Sequence, residues 1–126
     1  MGTRPVPARV LLKNVLYATD FSARSAPALP YALAIARKYH SKVFAAHVIS
    51  FFPFPNSSPT VAWQVIAEQA VRDAKLALGT IEPQFKGIPH EIMIRKGDIW
   101  EELAAIIARK EIDLIVLGTH GRSGVS

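Results

Sequence analysis

The residues best suited to chemistry gather near the carboxyl end, where the apolar run Leu114-Ile115-Val116-Leu117 gives way to Gly118-Thr119-His120-Gly121-Arg122-Ser123-Gly124. Glycines at three-residue spacing let a backbone turn sharply and bring its amides close to an anion, and Thr119, Arg122 and Ser123 add polar donors. A buried strand discharging into such a loop suits a phosphate group. In doubly wound sheets ligands sit beyond the carboxyl ends of the strands, so position agrees with composition. The loop lacks the Gly-Lys-Ser/Thr ending of a P-loop and the Gly-x-Gly-x-x-Gly order of the dinucleotide fold, and no nucleophile stands beside an oriented base.

Asp20 closes an earlier apolar run, Val15-Leu16-Tyr17-Ala18. A carboxylate beside phosphate would repel it, so a ligand role for Asp20 lies at a sugar, a base or a bridging metal. The same side chain can instead satisfy amides of the turn that follows, but its place at a strand end favours the ligand role. His40, His47, His90 and His120 lack the close pairing of a helical zinc motif, and with no cysteine in the chain a thiolate metal site is excluded. His47, inside an apolar run, reads as a packed histidine holding one hydrogen bond, whereas His120 sits in the glycine loop and is placed to touch phosphate.

The elements that must position these residues follow from periodicity. Val10 to Thr19 contains the first strand, and Ser22 can cap a helix running to about Tyr39, with Ala26, Leu29, Leu33 and Ala36 on one stripe, Pro27 fitting its first turns and Pro30 awkward near its start. Lys42 to Ile49 is a second strand. The three prolines of Phe51 to Pro59 make a loop or lid, and Thr60 to about Ile81 has helical spacing with Gly79 or Pro83 as its stop. His90 to Arg95 is a third strand, Asp98 caps a helix carrying Ile99, Leu103, Ile106 and Ile107, and Asp113 to Leu117 is a fourth strand. Strands apolar on consecutive residues and separated by helices imply an open parallel α/β sheet with helices on both faces, joined by right-handed crossovers. A closed barrel of eight strands would need ~250 residues.

Composition bounds the rest. A chain of 126 residues, 50% hydrophobic and 20% charged, fits a single soluble domain spanning 1–126. Its apolar runs fall short of the ~18 residues needed to cross a bilayer, Met1 to Pro7 lacks an export signal, and the absence of cysteine fits a cytoplasmic address. The net charge of +5 favours anionic ligands, but the lysines and arginines are dispersed without an aromatic platform, which argues against nucleic acid.

Three segments in one order, Asn14 to Ser22, Ala45 to Ile49 and Asp113 to Gly124, together with the helix preceded by Gly97-Asp98, closely resemble the universal stress protein family over nearly the whole chain. The resemblance implies a Rossmann-like sandwich of the adenine-nucleotide alpha-hydrolase kind, homodimeric, that binds ATP or AMP, with Mg2+ accompanying ATP, and acts as a regulator in stress response. By position it implies that Ala18, Thr19 and Asp20 face the nucleoside and that Val48 offers backbone hydrogen bonds to the adenine edge. Leu117, Gly118, His120, Gly121 and Arg122 would approach ribose and phosphates. The ATP-binding branch of the family carries Gly, two residues, Gly, nine residues, then Gly followed by Ser or Thr. Gly118 and Gly121 match the first half, and the second would fall beyond Ser126. The sequence is then either a fragment of a longer parent chain or a naturally shortened domain, with the final helix and fifth strand of the family fold expected to be missing. An open central-type strand would aggregate, so Asp113 to Leu117 is expected to be covered by a partner chain, by altered packing or by residues absent from this sequence. Two other readings stay open: a dimerisation or partner-binding module that takes no nucleotide, favoured by Phe51-Phe52-Pro53-Phe54, and a slow ATP hydrolase.

Overall fold

A computed structural model of the chain describes residues 11–23, 25–50 and 61–118, apart from the side chain of Trp63. Strands β1 (Asn14–Ala18), β2 (Lys42–Ile49), β3 (His90–Lys96) and β4 (Leu114–Leu117) alternate with helices α1 (Ala28–Tyr39), α2 (Val61–Ile81) and α3 (Ile99–Arg109). A 3-10 helix, Glu82–Phe85, follows α2 directly. The strands pair in parallel in the order β3-β2-β1-β4, with Val15 opposite Val43 on one side and Leu114 on the other.

That order dictates where the helices lie. The connections from β1 to β2 and from β2 to β3 step the same way, so right-handed crossovers put α1 and α2 on one face. The connection from β3 to β4 steps back across the sheet and puts α3 on the other. The core divides accordingly. One cluster joins Tyr17, Val43 and Ala45 to Leu29 and Leu33 of α1, Leu78 of α2 and Phe85. The other joins Leu16, Phe44, Ala46, Val48 and Met93 to Leu103 and Ile106 of α3. Successive residues of a strand point to opposite faces, and with both faces covered Val43 to Ala46 are all apolar and buried.

The ends of the elements have local causes. The helix expected from Ser22 begins instead at Ala28, because Pro27 would clash with the preceding turn of a helix already under way, whereas at the N-cap it costs nothing. Pro30 then falls in the first turn, where its missing N–H had no partner to lose. Ser22 serves a turn rather than the helix, its hydroxyl accepting the Ser25 N–H at 3.1 Å. Helix α2 runs through Gly79 and stops at Ile81, ahead of Glu82, whose position before Pro83 disfavours helical geometry. The cap expected at Asp98 is present: its Oδ2 accepts the Glu101 N–H at 3.0 Å. At the opposite end of the sheet the Asp113 carboxylate accepts the N–H groups of Lys13 and Asn14, at 2.9 and 3.0 Å, which pins the start of β1 to the approach to β4.

Candidate functional site

Strand β1 lies between β2 and β4, whose connections leave in opposite directions. A sheet opens a crevice at the carboxyl ends of the strands where that reversal occurs. A cavity of about 240 Å3 is found there. Ala18, Thr19 and Asp20 line it from the end of β1, Ala46 and Val48 from β2, and Leu117 and Gly118 from the end of β4. Ile99, Trp100 and Leu103 of α3 close its remaining side. Of the residues expected at a site, Ala18, Thr19, Asp20, Val48, Leu117 and Gly118 therefore come together. His120, Gly121 and Arg122 lie outside the described residues, as does the proline-rich stretch expected to form a loop or lid.

Strand chemistry gives Val48 a specific place. Parallel strands present the N–H and C=O of alternate residues to alternate neighbours. On β2 the even-numbered residues serve the β1 side, since the Lys42 N–H bonds the carbonyl of Lys13 and the Ala46 carbonyl accepts the Thr19 N–H at 3.0 Å. Odd-numbered residues serve β3, as the Val43 N–H to the Pro89 carbonyl shows. Thr19 to Ala46 is the last bond of the β1 ladder among the described residues. The N–H and C=O of Val48 point to that same side one step further on, where β1 has turned away.

The loop that turns away is held by its own side chains. The Thr19 hydroxyl accepts the Phe21 N–H at 2.9 Å and lies 3.3 Å from the Ser25 hydroxyl, which donates to the Ser22 carbonyl at 3.0 Å. His47 approaches the Thr19 carbonyl through Nδ1 at 2.7 Å, which requires the tautomer protonated there, and its ring packs on Phe21 with centroids 4.4 Å apart. Phe21 adopts φ of 63°, a left-handed conformation uncommon for a bulky residue. Asp20 takes the turn role expected of it, its Oδ1 accepting the Ser22 N–H at 2.8 Å, and the same residue lines the cavity. Gly118 is fixed by packing as well, because a Cβ there would lie 2.3 Å from the Cβ of the fully buried Ser25.

Apart from Thr19 and Asp20 the described lining is apolar. Among the described residues no group of three His, Cys, Asp or Glu side chains is arranged to hold a metal ion, and no helix is long and apolar enough to cross a membrane. Sequence reasoning missed Ala46, Ile99, Trp100 and Leu103. Ala46 had a signal, since it shares the face of Val48 two residues away, whereas the cap at Asp98 starts a helix at the carboxyl end of β3 without marking which of its residues meet the cavity.

An open parallel α/β sandwich with a crevice at its strand ends is thus the class that fold and site define. The family model described as "Universal stress protein family" matches residues 12–126, and the chain belongs to that family. A universal stress protein of Methanocaldococcus jannaschii is 27% identical over 117 residues, covering 91% of this chain and 69% of that protein. Among solved structures, universal stress protein UspA from Lactobacillus plantarum superposes with a TM-score of 0.80 at 20% identity, covering 93% of this chain and 86% of its own. A universal stress protein in complex with cAMP superposes with a TM-score of 0.65 at 20% identity, covering 85% of this chain and 76% of its own.

Proposed function

We propose that this chain binds an adenine nucleotide, ATP or AMP, in the crevice between β1 and β4 and acts as a regulator in stress response. The observation that carries the reading is the backbone of Val48, a lining residue whose N–H and C=O point to the β1 side past the last rung of the β1 ladder. A donor and an acceptor side by side at the edge of an apolar slot complement the edge of an adenine ring, with Thr19 and Asp20 beside the ribose and Gly118 leading the chain toward the phosphates. The cAMP held by a structural neighbour supports the same ligand class. Asp20 is the one carboxylate among the described lining residues, and one carboxylate together with nucleotide phosphates is an ordinary way to hold Mg2+, so its chemistry fits that ion as a companion of ATP. A cytoplasmic setting fits a chain without cysteine.

The test is thermal stabilisation by ATP and by AMP with magnesium present. A ligand selective for the folded state at a hundred times its Kd adds about 2.7 kcal/mol, and we expect a saturable rise in Tm of several degrees. Gly121→Val is expected to weaken binding on the order of tenfold or more, which corresponds to about 1.4 kcal/mol. No rise with either nucleotide in the well-folded chain would set the reading aside. It would favour the second one, a dimerisation or partner-binding module, for which the specific observation is β4: it is the outer strand of the described sheet, and Ile115 and Leu117 each remain 38% exposed.

A further inference from the structure

We propose that Trp100 stacks on the base of the bound nucleotide and sets a preference for purines over pyrimidines. This rests on the nucleotide-binding reading above and assigns a role to a residue outside the strand-end and glycine-loop set. The indole lines the cavity yet is 66% exposed, beside Ile99 at 39%, so a large aromatic surface stands at the mouth with little protein covering it.

The strand residues that share the lining with it are small. Ala18 and Ala46 are register partners on β1 and β2, and both line the cavity. Two methyl groups side by side on a sheet make a flat floor, and an indole turned over them would complete a slot for a planar ring. The volume, about 240 Å3, is below the ~300–1,000 Å3 of pockets that bury a whole drug-sized ligand, so it suits the base and part of the sugar. Hydrogen bonds from the Val48 backbone would read the edge of the ring while Trp100 covers its face. A purine offers the larger face, and stacking grows with the area of overlap.

The backbone under Trp100 is fixed before any ligand arrives. The Gly97 N–H donates to the Ile49 carbonyl at 3.0 Å, with φ of 141° at Gly97, a conformation suited to glycine. Asp98 caps α3 through both its side chain and its carbonyl, the latter accepting the Glu102 N–H at 2.9 Å. Leu103 and Ile106 bury the next turns of the helix. Ordering the indole on a base therefore restricts two side-chain torsions and no backbone, a small entropic cost for a large contact.

The experiment is calorimetric titration of AMP and of UMP into the wild-type chain, Trp100→Ala and Trp100→Phe. We expect the alanine variant to bind AMP roughly ten- to a hundredfold more weakly, the range seen for removal of an aromatic stacking partner, and to lose most of the preference for AMP over UMP. The phenylalanine variant should keep most of both. AMP binding by Trp100→Ala within about twofold of wild type, or equal losses for AMP and UMP, would overturn the proposal and leave nucleotide binding intact. A wild-type chain that binds neither nucleotide would instead defeat the underlying reading. A second measurement is independent of the alanine variant's folding: in a Trp63→Phe background, AMP should change the fluorescence of Trp100 with the same saturation as the heat signal. An unchanged spectrum at saturating AMP would equally overturn the proposal.

Discussion

A methyl group at position 118 would sit 2.4 Å from the Cα of Ser25 and 2.5 Å from its carbonyl oxygen, and neither backbone atom can swing aside as a side chain can. Gly118→Ala should therefore destabilise the fold by about 1–3 kcal/mol, the usual range for overpacking a tight site. The denaturation midpoint checks this, and an unchanged midpoint would mean that the loop after β1 yields freely. The sequence marks Gly118 as a residue that lets backbone approach a ligand, and the structure adds an approach to Ser25, a partner far away in sequence. The two demands reinforce each other, because the glycine that brings β4 against the β1 loop also shapes the cavity. Val48 is legible in sequence only through family resemblance, since a backbone contact leaves no mark on residue type. Only strand register shows which way its amide points. Trp100 is silent in the sequence for a different reason: at the second position of a helix it is one more aromatic until α3 is placed beside the ends of β1 and β2.

The 3-10 helix that follows α2 is tied to β3 by a histidine. His90 approaches the Ile88 carbonyl through Nδ1 at 2.8 Å and the Glu82 carboxylate through Nε2 at 3.0 Å, and its ring stacks on the buried Phe85. Both ring nitrogens meet acceptors, so the imidazolium satisfies both where a neutral ring satisfies one. The Ile88 carbonyl chiefly, and then Glu82, raise the His90 pKa above its usual 6.5, against an opposing contribution from partial burial. A pKa higher in the folded chain than in the unfolded one means that the stabilisation is complete below the unfolded value and is lost as pH rises through the folded value. Glu82→Gln should lower the His90 titration midpoint without returning it fully to the unfolded value, and the stability advantage of the wild type should fade as pH climbs through that interval. Proton NMR of the ring gives both midpoints, and identical midpoints would count against the ion pair. No sequence pattern announces this element. The helix stop at Pro83 is legible because proline acts locally, whereas the late start of α1 depends on whether Ser22 or Pro27 controls the turn. Pro27 decides it by steric clash, and the hydroxyl network joining Thr19, Ser22 and Ser25 holds the turn that results.

At the scale of the whole molecule, fold class was the most legible property, because consecutive apolar residues in β2 leave no solvent face to choose and so require cover on both sides. The site was legible at its strand ends and not along α3, since crossover geometry places the strands while the seat of a helix over them depends on packing. The same geometry leaves β4 at the margin of the described sheet with apolar side chains partly exposed. Such an edge templates association. We expect the 126-residue chain to sediment as a dimer or larger species at high concentration, and Ile115→Lys to shift it toward monomer. A strictly monomeric wild-type chain would show that β4 needs no cover from a second copy.

The bond from Asp113 to Lys13 joins residues a hundred positions apart, and it has a bearing on the order in which the molecule can be made. Closing so long a loop is an entropic cost met late, after β1, β2 and β3 have found the partners nearer to them in sequence. A chain leaving the ribosome amino end first has two walls of the crevice, β1 and β2, long before α3 and the end of β4 supply the others. The crevice is complete only when Gly118 has emerged and docked against Ser25. Any ligand that fits all of its walls thus discriminates between a nascent chain and a finished one.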